Sequence, residues 1–177
     1  MIDLEQRKDV RTWIEIDDQA LKSNMSAFRS LISPGVKFMA VVKSNAYGHG
    51  LSLIAKQLSE LRIKNKELRI HNSKFIIHNS WLWFGVDSIV EALRLREEGI
   101  KNPILVLGYT LPSRLSEATE KNIILTISNF EALSTLAKIK NPPAFHIKID
   151  TGMYRQGFLL GDVARLARII RNSKLCN

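Results

Sequence analysis

Lys43 is the residue in this chain best placed to do chemistry. It ends an apolar run, Phe38-Met39-Ala40-Val41-Val42, and opens a polar, glycine-rich loop, Ser44-Asn45-Ala46-Tyr47-Gly48-His49-Gly50. A continuous apolar run bounded by turn residues predicts a strand buried on both faces, as in a parallel α/β sheet. The lysine then falls at the strand's C-terminal end, where α/β folds carry their reactive groups. Emerging from an apolar wall favours the neutral amine and makes it a nucleophile. Gly48 and Gly50 let the backbone approach an anion closely, with Tyr47 and His49 as polar handles beside it.

A second polar set sits about a hundred residues on. In Phe145-His146-Ile147-Lys148-Ile149-Asp150 the alternation puts His146, Lys148 and Asp150 on one face and Phe145, Ile147 and Ile149 on the other. Such a strand ordinarily has one face in water. In a barrel the apolar face packs on helices and the polar one looks inward, toward an active site.

The elements that must hold these residues alternate between strand and helix. Thr12 to Ile16 alternates apolar and polar, predicting a half-buried strand. Asp17 or Asp18 caps the next helix, with Leu21, Met25, Phe28 and Leu31 or Ile32 as its apolar face. Leu51 to Leu61 is a second amphipathic helix, and its N-terminus points back at the glycine-rich loop, where it favours a phosphate. Strands are predicted over Trp81–Val86, Pro103–Gly108, Ile123–Ile127 and Ala144–Asp150, and helices over Ile89–Glu98, Leu111–Lys121, Asn129–Lys138 and Val163–Ile170. This order argues for βαβ units on a parallel sheet, five of them counting from the lysine strand.

Two strings carry a resemblance. Val36 to Gly50, VKFMAVVKSNAYGHG, closely resembles the cofactor-lysine signature of alanine racemases, fold type III enzymes in which this lysine holds pyridoxal 5'-phosphate (PLP) as a Schiff base. IKIDTGMYRQGF is similar to the family's fifth-strand segment at Lys148, Asp150, Thr151, Gly152, Met153, Arg155 and Gly157. WIEIDDQALKSN, FGVDSIVEALRLREEGI and PILVLG resemble other family segments, so the likeness runs essentially from Trp13 to Ile170.

The resemblance implies interconversion of L- and D-alanine, supplying D-alanine for peptidoglycan. It makes Lys43 the catalytic and cofactor-holding amine, Tyr47 a ligand of the cofactor phosphate, and Arg155 a ligand of both cofactor and substrate carboxylate. Lys148 is implied as a supporting residue, carboxylated in some members. The expected fold is a partial (β/α)8 TIM barrel, α/β, of about five units, lacking the last units and a C-terminal β-domain. Residues 1–177 form one truncated N-terminal PLP-binding barrel domain in this reading, of a homodimeric family. Its catalytic machinery is incomplete unless a complementing C-terminal chain supplies the rest. The alternative within the same cofactor class is a non-catalytic PLP-binding barrel protein of PLP homeostasis.

An insertion is expected at about 62–80, where Ile70-His71-Asn72-Ser73 recurs as Ile77-His78-Asn79-Ser80. The histidine spacing matches no strong metal motif, and a surface hairpin or loop insertion is expected there.

Composition narrows the classes. The 177 residues, 45% hydrophobic, make one core but fall short of the ~250 of a complete barrel. A net charge of +9 invites a nucleic-acid reading, yet only Arg62, Lys64, Lys66 and Arg69 cluster, without an aromatic stripe. A solvated basic surface is expected, with no nucleic-acid and no membrane partner; a basic RNA- or membrane-associated module is the reading from a different class. A single cysteine, Cys176, excludes an internal disulfide and a cysteine-based zinc cluster. With no apolar stretch at the N-terminus, the expectation is a cytoplasmic protein.

Overall fold

The computed structural model describes residues 12–33, 35–61, 81–173 and 175. The expected insertion at 62–80, with its histidine repeat and basic cluster, lies outside the described residues.

Five parallel strands form one sheet in the order β1-β2-β3-β4-β5: Phe38–Val41, Leu82–Val86, Ile104–Val106, Ile124–Ile127 and Phe145–Ile147. Each strand pairs with the next in sequence, and helices fill the connections: α3 (Leu51–Glu60), α4 (Ile89–Glu97), α5 (Leu115–Glu120) and α6 (Phe130–Leu136). α1 (Asp18–Leu31) precedes the sheet and α7 (Val163–Arg171) follows it. α2 (Lys43–Tyr47) is a single turn between β1 and α3.

Register sorts the side chains into two layers, because parallel neighbours point the same way. Leu82, Phe84, Val86, Ile104, Val106, Leu125 and Ile127 turn outward and are fully buried beneath the helices. The helices meet them with small residues at the contact, Ala55, Ala92, Ala118 and Ala132 among them, so the two layers approach closely. Met39, Val41, Trp83, Leu105, Thr126 and His146 occupy the other face. There Trp83 on β2 meets His146 on β5 edge-on, with ring centroids 6.4 Å apart. In a flat sheet those strands lie three spacings, about 14 Å, apart. The sheet therefore curls, with His146 on the concave side as the alternation predicts.

Two local readings are corrected, and one that offered alternatives is decided. Residues 12–16 are not a strand: they pair with nothing in the sheet, and Trp13 and Ile14 are half or more exposed. Alternation records a facial preference, but a strand also needs an edge to pair with. On α1 the apolar face closes on Ile32, while Leu31 points to solvent. The fifth strand stops at Ile147 because Phe158 returns beside residues 148–150: Lys148 N–H still reaches Ile127 O, but Phe158 N–H donates to Lys148 O and Asp150 N–H to Phe158 O, both at 2.9 Å. Gly157 makes this return possible, with φ of +136° and a hypothetical Cβ 2.6 Å from Asp150 N.

The N-terminal ends of the strands are tied by Arg96. Its guanidinium donates to the carbonyls of Ile100 (2.6 Å), Asn102 (2.9 Å), Lys121 (2.9 Å) and Asn122 (2.8 Å), joining α4 to the chain entering β3 and β4. A lysine offers a compact charge in place of that planar fork. Arg96→Lys is expected to cost about 1–3 kcal/mol of stability through the acceptors it leaves unmet. The midpoint of urea unfolding checks this, and an unchanged midpoint would refute the role given to the fork.

Candidate functional site

Lys43 lies two residues past Val41, just beyond the C-terminal end of β1, where it opens α2. Its side chain is 31% exposed, so the amine is half-buried rather than enclosed. The nearest anion is Asp87, just past β2, with a carboxylate oxygen 3.9 Å from Nζ. Asp87 is 61% exposed, which makes the pair loose and screened by solvent. Asp87 is itself fixed through its backbone: Gly108 N–H donates to its carbonyl at 3.0 Å. A Cβ at Gly108 would lie 2.3 Å from that oxygen, so only glycine fits.

The chain after Lys43 turns left-handed. Ser44, Asn45, Ala46 and Tyr47 all have φ between 52° and 56°. A left-handed helical residue that is not glycine costs about 1–2 kcal/mol, so four in a row store about 4–8 kcal/mol. Hydrogen bonds hold them there. Ala46 N–H donates to Val42 O at 2.8 Å and Gly50 N–H to Asn45 O at 2.9 Å. The Asn45 side chain accepts from Leu51 N–H at 2.9 Å, and His49 Nδ1–H donates to Ala46 O at 2.8 Å. The carboxylate of Glu91 on α4 reaches across to accept Ser44 N–H at 2.7 Å. His49 thus serves the backbone of the turn. The first N–H of α3, expected to favour a phosphate, is spent on Asn45.

The second polar set lies at the same end of the sheet, after β5. Lys148 N–H continues the ladder to Ile127 O at 3.0 Å, and the chain then loops outward. Asp150 organises that loop: one carboxylate oxygen accepts N–H from Gly152 (2.9 Å), Met153 (2.9 Å) and Tyr154 (3.1 Å). Gln156 anchors its far side to Leu107 O at 3.2 Å. The loop presents Arg155 exposed, as Tyr47 is on the turn after β1. Among the described residues the Lys148 ammonium, the Arg155 guanidinium and the Tyr47 hydroxyl have no hydrogen-bond or ion-pair partner. Three groups suited to anionic ligands are therefore uncommitted at the end where Lys43 emerges.

The sequence reading missed the partners of the turn, Glu91 and Asn45, and the approach of Asp87. Glu91 did carry a signal, since Ser88-x-x-Glu91 has the spacing of a helix cap, but nothing local says that its carboxylate leaves the helix for another loop.

The profile of the alanine racemase N-terminal domain matches residues 16–65 and 73–176. The chain belongs to this family. An alanine racemase of Fusobacterium nucleatum is 36% identical over 166 residues, which cover 94% of this chain and 42% of that protein. One from Methylacidiphilum infernorum is 37% identical, covering 93% and 39%. Among solved structures, alanine racemase from Clostridium difficile 630 superposes with a TM-score of 0.73 at 28% identity, over 92% of this chain and 40% of that one. The Bacillus anthracis enzyme with bound L-Ala-P gives 0.72 at 30%, over 90% and 38%. The chain thus spans about two-fifths of the length of the relatives it matches. The α/β fold of five parallel strands alternating with helices corresponds to about 40% of the solved racemase chain. The family uses PLP. Among the described residues no helix is long and apolar enough to cross a membrane.

Asp150 gives the loop a pH signature. The N–H groups of Gly152, Tyr154, Met153 and Arg155 stabilise its charged form and hold its carboxyl below the ordinary aspartate value. A carboxyl depressed in the folded state adds stability above its unfolded value, near pH 4, and loses it as pH falls through the lower folded value. Wild type is therefore expected to melt above Asp150→Asn by a constant margin at neutral pH, with the margin closing below about pH 4. Melting temperatures of the two chains from pH 7 to pH 3 check this, and a margin as large at pH 3 as at pH 7 would contradict it.

Proposed function

We propose that these residues serve the PLP-dependent interconversion of L- and D-alanine, with Lys43 as the amine that anchors the cofactor and then carries the proton on one face of the substrate. One observation supports this above the rest. A half-buried lysine amine ends β1, and at the same end of the sheet stand an uncommitted phenol, ammonium and guanidinium. The donor set fits a phosphorylated aldehyde: an amine to bond its carbonyl carbon, and cations and a hydroxyl for its anionic groups.

When bound, PLP draws electrons from the substrate Cα and makes its hydrogen acidic. This chain's part is to hold, orient and move protons. Lys43 would hold the cofactor through its amine, and its Nζ would take or return the Cα proton on its own side of the substrate. Arg155 suits the substrate carboxylate and the cofactor's phenolic oxygen, because its planar fork binds such oxygens in pairs. Tyr47 donates to the phosphate. Lys148 lines the inner face behind Arg155 as a supporting group, and Asp150 shapes the loop that carries the arginine.

Racemisation also needs a proton carrier on the opposite face of the substrate. That group is expected from the part of the relatives that these 177 residues do not span, on the same protein or a complementing chain, with alanine as substrate and a homodimer as the assembly.

The test titrates the 177-residue chain with PLP, follows visible absorbance, and then reduces with borohydride. Wild type is expected to retain the cofactor on the peptide holding residue 43, and Lys43→Ala to retain none. Wild type is expected to racemise alanine above background only once the remaining part is supplied, and Lys43→Ala not even then. Equal labelling of Lys43→Ala would remove the anchoring role, and brisk racemisation by these residues alone would remove the division of labour.

A further inference from the structure

Ser44 N–H begins the left-handed turn, and its acceptor comes from neither the turn nor β1. It is Glu91 Oε1, at 2.7 Å. The other oxygen of the same carboxylate accepts Asp87 N–H at 2.8 Å. Asp87 is the residue whose side chain stands 3.9 Å from Lys43 Nζ. One carboxylate therefore ties the residue after Lys43 to the residue that supplies the lysine's nearest anion.

The Glu91 backbone is well fixed for that work. It lies in the first turn of α4, where its own N–H donates to Ser88 Oγ at 3.3 Å. In a simple capping box the glutamate returns to the N–H of the capping residue and ends there. Here it passes the cap, takes the N–H one residue earlier, and spends its second oxygen on a loop 47 residues away. A cap for α4 alone needs only the first of these bonds. The second acts on a strained segment, and strain persists only where its surroundings over-determine it.

We propose that Glu91 is the positioning residue of Lys43: its two-amide bridge holds the left-handed turn against β2 and thereby fixes where the lysine amine stands. The role rests on the reading of Lys43 as the cofactor-anchoring amine. Glu91 touches neither cofactor nor substrate and acts through the backbone of Ser44 and Asp87.

The test compares wild type with Glu91→Gln, Glu91→Asp and Asn129→Ala in the 177-residue chain. Gln keeps one acceptor oxygen and loses the charge. Asp keeps the charge but is too short to span both amides, and serves if the Gln variant does not fold. Asn129 is a helix cap of the same kind on α6, accepting Ala132 N–H at 2.8 Å, with no bond to the turn. Three readouts are taken: hydrogen exchange at the amides of Ser44 and Asp87, acylation of Lys43 by acetic anhydride relative to Lys138, and borohydride-trapped PLP on Lys43. Both Glu91 variants are expected to exchange those amides about tenfold faster, the scale of one charge-assisted bond. Lys43 is expected to acylate faster as it is released, while it captures the phosphorylated aldehyde less well. Asn129→Ala is expected to lose comparable thermal stability and to move none of the three. If the Glu91 variants match Asn129→Ala, Glu91 is only a helix cap and the proposal fails. If wild type captures no PLP, the proposed function fails instead, and exchange and acylation still decide the role of Glu91.

Discussion

The two peptide groups that flank a lysine set its Cα and the direction in which its side chain leaves the backbone. Before Lys43 the chain is pinned by the sheet, where Val42 N–H meets Gly85 O at 2.8 Å. After it the chain takes a helical sense that L-residues avoid. The site depends on keeping that unfavourable turn in place. Its supports come from three directions: the end of β1 through Val42, the start of α3 through Asn45 and Leu51, and α4 through Glu91. A right-handed continuation would release the strain and carry the chain elsewhere.

The curl of the sheet supplies the second requirement, bringing β5 round toward β1. Large apolar residues on the strands' outer face and small ones on the helices make a dense outer layer, whose side chains are buried without using the concave side. The inner face is thereby free to carry Trp83, Thr126, His146 and Lys148, residues that a two-sided core would reject. The tie at the opposite end, through Arg96, keeps that separation consistent: one end of the strands is stapled, and the other is left to loops.

Much of this was legible in the residues. Apolar runs of five or six residues located the first four strands and alternation the fifth, and Ser88 and Asn129 stand at helix starts that the structure keeps. The faces of β5 followed from simple alternation. Three things were not legible, each for a physical reason. Residues 12–16 have strand-like alternation, but pairing is a property of two segments and cannot be read from one. The end of β5 moved because Phe158, eight residues downstream of Asp150, competes for the same backbone groups. The left-handed turn has no compositional mark at Ser44, Ala46 or Tyr47; of its residues only Asn45 is a type that adopts this conformation readily. Of the candidate site residues, the chain order alone put Lys43 and Tyr47 at and after the end of β1, Lys148 near the end of β5 and Arg155 after it. That all four share one end of the sheet follows once the strands are parallel.

The contrast between the two loops explains why Lys43 and Arg155 suit different work. Lys43 is held by backbone bonds on both sides and is half-buried, so its amine has few places to go. Arg155 rides on a loop whose geometry is set by one carboxylate at its base and one glutamine at its far side, and its side chain is exposed. A group that forms and breaks a bond must stand at a fixed point, and small errors there cost rate steeply. A group that gathers an anion tolerates more travel, because charge attraction falls off slowly with distance. Most of the strain among the described residues lies at the lysine, where four consecutive residues are left-handed and position matters most; the Asx-type loop of the arginine carries one, Tyr154, with φ of 52°.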